Sequence, residues 1–425
     1  MRGVQGSGFR VQERGHPGRS WDRGHLGRFW GRGLPARTNV DLFFVRPGWP
    51  RPQKRAGCPR SNGAALATLL TIVLAFGCTQ PKGEILVAPL EGPYWPAAAD
   101  ARVRYVGSLR SEEDLKPAKS FWRQLVGTDD QDIKRLVAPI SVAVDPTGVV
   151  YVADTDTKAV HRFDLNARTH ALIGQGTIEL PSAVAWWNGH LFIADSKGGG
   201  IYVTDGGPPR RFNRDTIARP AGIAGGTMPS QPFTTPGVGM SPNLFVSDLA
   251  TASVHVLDFS GQTVQTFPQT TDPAEALSSP THLAYHHKTR LLVSDTLSSR
   301  IVRFDQLGNR LGTIGAPGDA PGDLAMPRGV AVDSAGHVYV VDARFENVQI
   351  FDVDGRVLLD FGREGTGPGQ FSLPAGICID SHDRIWVADT YNCRVQVFQF
   401  LGAPESTARP ALATISMHGG NSDDQ

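Results

Sequence analysis

The residues able to do chemistry in this sequence are few, and most recur at fixed spacing. Asp154, Asp195, Asp248, Asp295, Asp342 and Asp389 each close a short apolar run, and the last three steps between them are identical at 47 residues. A carboxylate repeated behind an apolar run suits a structural task, accepting backbone N–H groups of the following loop. A proline precedes each run, at Pro139, Pro181, Pro220, Pro280, Pro327 and Pro374. The dipeptides behind these prolines are Ile140-Ser141, Ser182-Ala183, Ala221-Gly222, Thr281-His282, Arg328-Gly329 and Ala375-Gly376. If the repeats surround an axis, these dipeptides face it. His282 and Arg328 are the members able to hold an anion there, and they are the candidate ligand-binding residues. A lone histidine falls short of a zinc site, and no carboxylate stands at these positions to hold a hard cation. G-x-S-x-G, H-E-x-x-H and G-x-x-x-x-G-K do not occur. No catalytic residue, metal site or cofactor is therefore assigned.

The four cysteines are Cys58, Cys78, Cys378 and Cys393, and no two have C-x-x-C spacing. Haem attachment, zinc knuckles and thioredoxin-like chemistry are thus unsupported. Cys378 and Cys393 fall on the first and third strands of one repeat, roughly 9–10 Å apart at the usual strand spacing. That exceeds disulfide reach, and both read as buried small hydrophobes. Cys78 has another context. Arg55 and Arg60 precede an apolar run from Ala64 to Phe76, which leads into Gly77-Cys78. The run is shorter than the ~20 residues of a membrane-spanning helix and fits the ~7–15 of a signal-peptide core. Residues 61–78 read as a lipoprotein signal with Cys78 as the lipid attachment site. Ala75 and Phe76 depart from the usual residues before such a cysteine, so an uncleaved anchor and an ordinary secretory signal stay open.

The elements that position these residues are strands. The phrase ending in aspartate appears as Tyr151-Val152-Ala153-Asp154, Phe192-Ile193-Ala194-Asp195 and four further copies ending at 248, 295, 342 and 389. Each unit holds four strand-like pieces. The first starts on the proline, a position where a missing N–H costs nothing. A Gly-bearing hairpin such as Asp333-Ser334-Ala335-Gly336 follows. The aspartate phrase is the second strand, a segment such as Asn347 to Phe351 the third, and one such as Arg356 to Phe361 the fourth. Four strands in 40–50 residues, repeated, is the pattern of propeller blades. The aromatic or leucine three places before each aspartate is expected to form an inter-blade layer. The fold class is all-β, a six-bladed propeller of four-stranded antiparallel blades.

The sixth unit stops after its third strand near Phe400, and Arg102 to Gly107 resembles a fourth strand. This N-terminal strand is expected to close the last blade, removing an exposed edge. Ser111-Glu112-Glu113-Asp114 reads as a helix start, with Leu115, Phe121, Trp122 and Leu125 capping one end of the ring. Blade three carries an insertion from Gly225 to Pro242 that reads as an irregular recognition loop. Arg300 and Arg394 are expected to pair or stack between blades.

The units resemble NHL repeats. Blade six carries the phrase of that family in Asp389-Thr390-Tyr391-Asn392-Cys393-Arg394-Val395-Gln396-Val397-Phe398. Blades four and five carry it in part, and blades two and three are degenerate. The resemblance implies the propeller fold and leaves function open. NHL propellers occur in RNA-binding tripartite-motif proteins, receptor-kinase sensor domains, peptidylglycine amidating lyases and many exported bacterial proteins. The lyases resemble this fold and hold zinc through channel histidines from several blades, where this chain has His282 alone.

The organisation expected is a disordered Arg/Gly-rich leader over 1–60, the signal over 61–78, a linker over 79–100, the propeller over 101–400 and a disordered tail over 401–425. A formal net charge of +1 gives no basic field for nucleic acid. The function expected is that of an exported, membrane-tethered, non-enzymatic binding or scaffold protein of the cell envelope, with a protein or glycan partner. The alternative is a periplasmic or extracellular lyase or hydrolase working at the channel mouth.

Overall fold

Proline at the first residue of a strand gives up no ladder donor, and in the computed structural model all six first strands begin on their proline. They are Pro139–Val144, Pro181–Trp187, Pro220–Pro229, Pro280–His286, Pro327–Val332 and Pro374–Ile379. They touch one another in ring order and the last touches the first. Each leads an antiparallel sheet, of four strands in blades one to five and five in blade six, so the described residues form a six-bladed propeller. The structure describes residues 93–96, 101–115, 134–229, 240–268, 270, 272 and 275–401. The expected leader and signal, Cys78 with them, most of the linker and nearly all of the tail lie outside the described residues.

In blade six the strand Val103–Leu109 pairs antiparallel with Arg394–Phe400, Val103 opposite Phe400 and Leu109 opposite Val395. Tyr94–Trp95, inside the segment expected to be linker, adds a short fifth strand on its outer edge. The reason is apolar: the Trp95 ring lies 5.8 Å from both Phe361 and Phe398 and belongs to the core of blades five and six. On the other side of the seam, Val106 and Leu109 pack with Leu136, Val150 and Trp386. The expected helix start is a 3-10 turn, Glu112–Leu115, in which Asp114 accepts the N–H groups of Arg110 and Ser111. Leu115 is buried in the same seam, and Phe121, Trp122 and Leu125 fall outside the described residues.

The residues expected to form the inter-blade layer are all buried: Tyr151, Phe192, Phe245, Leu292, Tyr339 and Trp386. Two of them stack flat on the first strand of the next blade, Tyr151 on Trp186 and Phe245 on Tyr285. The two ends of the blade-three insertion are strand where an irregular loop was expected, and residues 230–239 between them lie outside the described residues. The first strand of the blade runs to Pro229 and its second, Met240–Asp248, pairs with it as far as Pro229 opposite Met240. Gly225 and Gly226 act as spacers under the rings of Trp187 and Tyr285, where a side chain would collide.

The six aspartates at the ends of the second strands are at most 1% exposed. Each receives N–H bonds from the chain entering its own blade. Asp195, for instance, accepts Glu179 and Leu180 N–H at 2.8 and 3.0 Å and then Lys197 and Gly198 N–H at 3.2 and 2.9 Å in the turn beyond. In blade six Arg394 replaces part of that set. Its Nε donates to Asp389 at 2.8 Å, and Nη2 donates to the carbonyls of Gly367 and Gln370 in the loop from blade five. The arginines therefore pair within their own blade and tie down the connecting loop, a correction to pairing between blades. Arg300 does the same with Asp295 and the Ala276 carbonyl.

The turn leaving each second strand ends on a left-handed residue: Lys158, Gly199, Ala252, Ser299, Glu346 and Cys393. Cys393 at this site is half-exposed, not the buried hydrophobe expected, and Cys378, on the channel wall, is a free thiol only partly buried.

Two outcomes follow for stability. Arg394→Ala removes a fully buried ion-pair partner of Asp389, at 2% side-chain exposure, and is expected to cost about 3–5 kcal/mol, while Arg300→Ala, at a site with 20% side-chain exposure, costs about 1 kcal/mol; urea midpoints of the two variants measure the contrast, and equal losses would contradict it. Ala252→Gly relieves a φ of +50° and is expected to raise stability by about 0.5–1 kcal/mol, read as a higher Tm.

Candidate functional site

The first strands do not run straight into the ladder. In every blade the pairing slips by one residue directly behind the proline, for example from Pro280 opposite Asp295 to Leu283 opposite Val293, and from Pro327 opposite Asp342 to Val330 opposite Val340. The slip is a β-bulge, a device that re-aims side chains beside a site. It lies at the end of the sheets where second strands finish and their turns begin. His282 and Arg328 both sit in it, on adjacent blades four and five.

The bulge is also where neighbouring blades come closest. A Cβ on Gly222, Gly329 or Gly376 would stand 2.6, 2.5 and 2.7 Å from backbone oxygens of the next blade's first strand. Ser141 and Ala183 occupy the same place in blades one and two. The ring is therefore lined by small residues at this level, and His282 is the one large side chain among them. The channel they enclose has a volume of about 210 Å³ and is walled mostly by apolar strand-one residues such as Val142, Ile223, Leu283 and Ile377.

His282 fills that narrow level. Both ring nitrogens are enclosed and neither makes a hydrogen bond to a described residue. Burial, with the Arg328 charge adding to it, pulls the imidazole down to about 3, while the Ile140 carbonyl on the opposite blade pulls weakly the other way without hydrogen-bond geometry. His282 is thus neutral at physiological pH. Arg328 is half-buried, and among the described residues it has no ion-pair or hydrogen-bond partner. Burial lowers its pKa, and the titratable group that acts on it is the Tyr391 phenol, not a carboxylate. The structure places the two candidate residues in the bulges of adjacent blades at one end of the channel, where His282 lines the channel and the Arg328 charge acts on it. Tyr391 and Leu297, in the turns that follow Asp389 and Asp295, are 55% and 70% exposed at the same end. Sequence reading passed over Tyr391; its signal was an aromatic at the tip of a turn whose core aromatic, Trp386, was already accounted for. Cys78 lies outside the described residues.

Glu346 is a second perturbed group. It holds the left-handed position of blade five with φ +55°, and its Oε2 is enclosed without a donor. Burial raises it to about 7, against a backbone hydrogen bond from Leu373 that lowers it, with smaller upward contributions from the charges of Glu364 and Asp389. It was not singled out from the sequence, because its burial comes from the loop of the next blade. Among the described residues no three His, Cys, Asp or Glu side chains are grouped to hold a metal ion.

The NHL repeat family matches residues 324–351 and 371–398, which are most of blade five and the inner three strands of blade six. The chain thus carries NHL repeats in a six-bladed propeller. No curated protein sequence matches it. Among solved structures it is similar to an auxiliary nutrient binding protein from Bacteroides ovatus ATCC 8483, at 16% identity over 64% of this chain and 71% of that one, with a TM-score of 0.49. A second auxiliary nutrient binding protein, from Bacteroides thetaiotaomicron VPI-5482, matches at 14% identity over 62% and 69%, with a TM-score of 0.46. Virginiamycin B lyase from Staphylococcus aureus matches at 14% identity over 64% and 86%, with a TM-score of 0.43.

The sign of the Glu346 effect is fixed by its raised pKa. Below the ordinary value of 4.5 both folded and unfolded chains are protonated there; between 4.5 and about 7 the folded state holds the extra proton, so stability falls as pH rises through that window. Glu346→Gln is therefore expected to raise Tm at pH 8 and to change it less at pH 4.5; an equal shift at both values contradicts the assignment.

Proposed function

We propose that this propeller is a non-enzymatic binding protein of the cell envelope, exported and tethered through lipid on Cys78, and that it engages a protein or glycan partner across the face bearing Arg328. One observation carries the reading. A cation without a counter-charge, an exposed tyrosine and an exposed leucine lie at the one end of the ring where the second-strand turns project. Arginine and tyrosine are the residue types that dominate interface energetics, and a large apolar residue beside them supplies contact area.

The dimensions of the channel favour a partner lying over the face. Small-molecule sites usually enclose about 300–1,000 Å³, and this channel has about 210 Å³. The lyase or hydrolase alternative needs an acid or base near the working pH. The histidine at the mouth is neutral far below that, at about 3, and its nitrogens are enclosed. That supports binding over proton-transfer chemistry at this mouth.

The test uses the full chain in its native envelope. Labelling with a palmitate analogue is expected to mark the protein and to vanish in Cys78→Ala, and capture from envelope extract is expected to return one stoichiometric partner. Label persisting in Cys78→Ala refutes the tether. Turnover of a substrate by purified protein, abolished by a His282 substitution, refutes the non-enzymatic reading.

A further inference from the structure

The repeats supply an internal control for the channel mouth. At the position of Arg328, directly behind the proline, the other blades carry Ile140, Ser182, Ala221, Thr281 and Ala375. At the position of His282 they carry Ser141, Ala183, Gly222, Gly329 and Gly376. Four blades close the same ring, with the same bulge, using neutral residues at the first position and small ones at the second. The fold therefore needs neither a guanidinium nor an imidazole here. The two departures lie on adjacent blades and meet at one place.

Enclosing a cation without a counter-charge is costly. Arg328 is half-buried, which lowers its pKa, and it has no carboxylate partner among the described residues. The aspartates at this end of the ring are unavailable, being at most 1% exposed and already engaged with backbone N–H groups. The Tyr391 phenol beside Arg328 is a neutral hydrogen-bonding group, half exposed at the rim.

We propose that the channel mouth is a carboxylate-binding site: Arg328 holds one carboxylate through its planar fork, Tyr391 lines the rim, and His282 plugs the axis beneath so that the group stops at the mouth. This deepens the binding reading and rests on it, since the carboxylate would belong to the partner, as an acidic sugar or as a peptide C-terminus. A singly charged planar group fits best. The guanidinium matches a carboxylate two bonds at a time. A phosphate ester carries close to two charges and would face one cation and a neutral imidazole. His282 acts through space filling; it is a positioning residue.

Four probes separate the sources and the charge: glucuronate against glucose, and a short peptide with a free C-terminus against its amidated form. Binding to the purified chain is read by saturation-transfer NMR. The charged member of at least one pair is expected to bind, the neutral member not, and Arg328→Gln to weaken the charged probe by at least about tenfold. Arg328→Lys keeps the charge and loses the fork, and is expected to recover only part of the affinity. Because His282 stays neutral, affinity is expected to be flat from pH 5 to 8. Arg328 makes no bond the fold uses, so Arg328→Gln should not lower the Tm. The proposal is overturned if neither charged probe binds, if neutral probes bind equally, or if Arg328→Gln binds as wild type does. Wild-type protein that binds a carboxylate probe but captures no envelope partner upholds the site and refutes the partner reading. Capture undiminished in Arg328→Gln upholds the partner reading and refutes the carboxylate as its anchor.

Discussion

Asp154, Asp195, Asp248, Asp295, Asp342 and Asp389 have almost no solvent contact, and each stands where the second strand of its blade ends. Each also accepts N–H groups from the chain arriving from the previous blade, and Asp154, Asp195, Asp248 and Asp342 hold the turn beyond as well, so one carboxylate ties the start of a sheet to the turn that leaves it. An ionised acceptor with several donors is the arrangement under which a buried charge is tolerated. The prolines, bulges and turns at that end of the ring are set against these anchors. Where Asp389 lacks some of the usual backbone donors, Asn392, Arg394 and Gln396 side chains complete its shell at 2.8–3.1 Å.

The opposite end of the blades shows how repeats trade equivalent parts. Asp145, Asp333 and Asp380 lie behind the first strands of blades one, five and six, and each receives a donor from the second-strand aromatic: Tyr151 hydroxyl at 3.3 Å, Tyr339 hydroxyl at 3.0 Å and Trp386 Nε1 at 2.8 Å. Blades two, three and four carry Phe192, Phe245 and Leu292 instead, and Trp187, Gly226 and His286 in place of the aspartate. Donor and acceptor are present together or replaced together, as the cost of an unpaired buried polar group requires. His337 and Arg384 take the same place against Asp333 and Asp380, at 2.8 and 2.6 Å. The His337–Asp333 pair is thereby explained as structure, with no need of a catalytic role.

The mouth of the channel departs from this economy. Small residues recur there because neighbouring first strands approach to within contact of a would-be Cβ. His282 and Arg328 break the pattern without joining any internal network, His282 with both nitrogens unmatched and Arg328 without an ion-pair partner among the described residues. Groups that stability does not require, in a place where their desolvation costs free energy, are where binding is to be sought.

Much of the fold was legible in the chain because it depends on period and backbone chemistry alone. The 47-residue steps, the prolines that begin six strands, and the apolar run before each aspartate follow from donor accounting and side-chain alternation, which act locally. The start of the insertion in blade three was misread because Gly225 and Gly226 look like turn residues until the rings of Trp187 and Tyr285, from neighbouring blades, are seen lying on them. Cys393 was misread because its exposure follows from the left-handed turn shared by six blades, at which five residues are not glycine. His282 and Arg328 could be named from their place behind the proline, whereas their meeting, the neutrality of one and the solitude of the other exist only once the ring is assembled. The sequence by itself determined the strands and the blade number. Only the tertiary structure decided distances, burial and charge state, because these depend on backbone brought in from other blades.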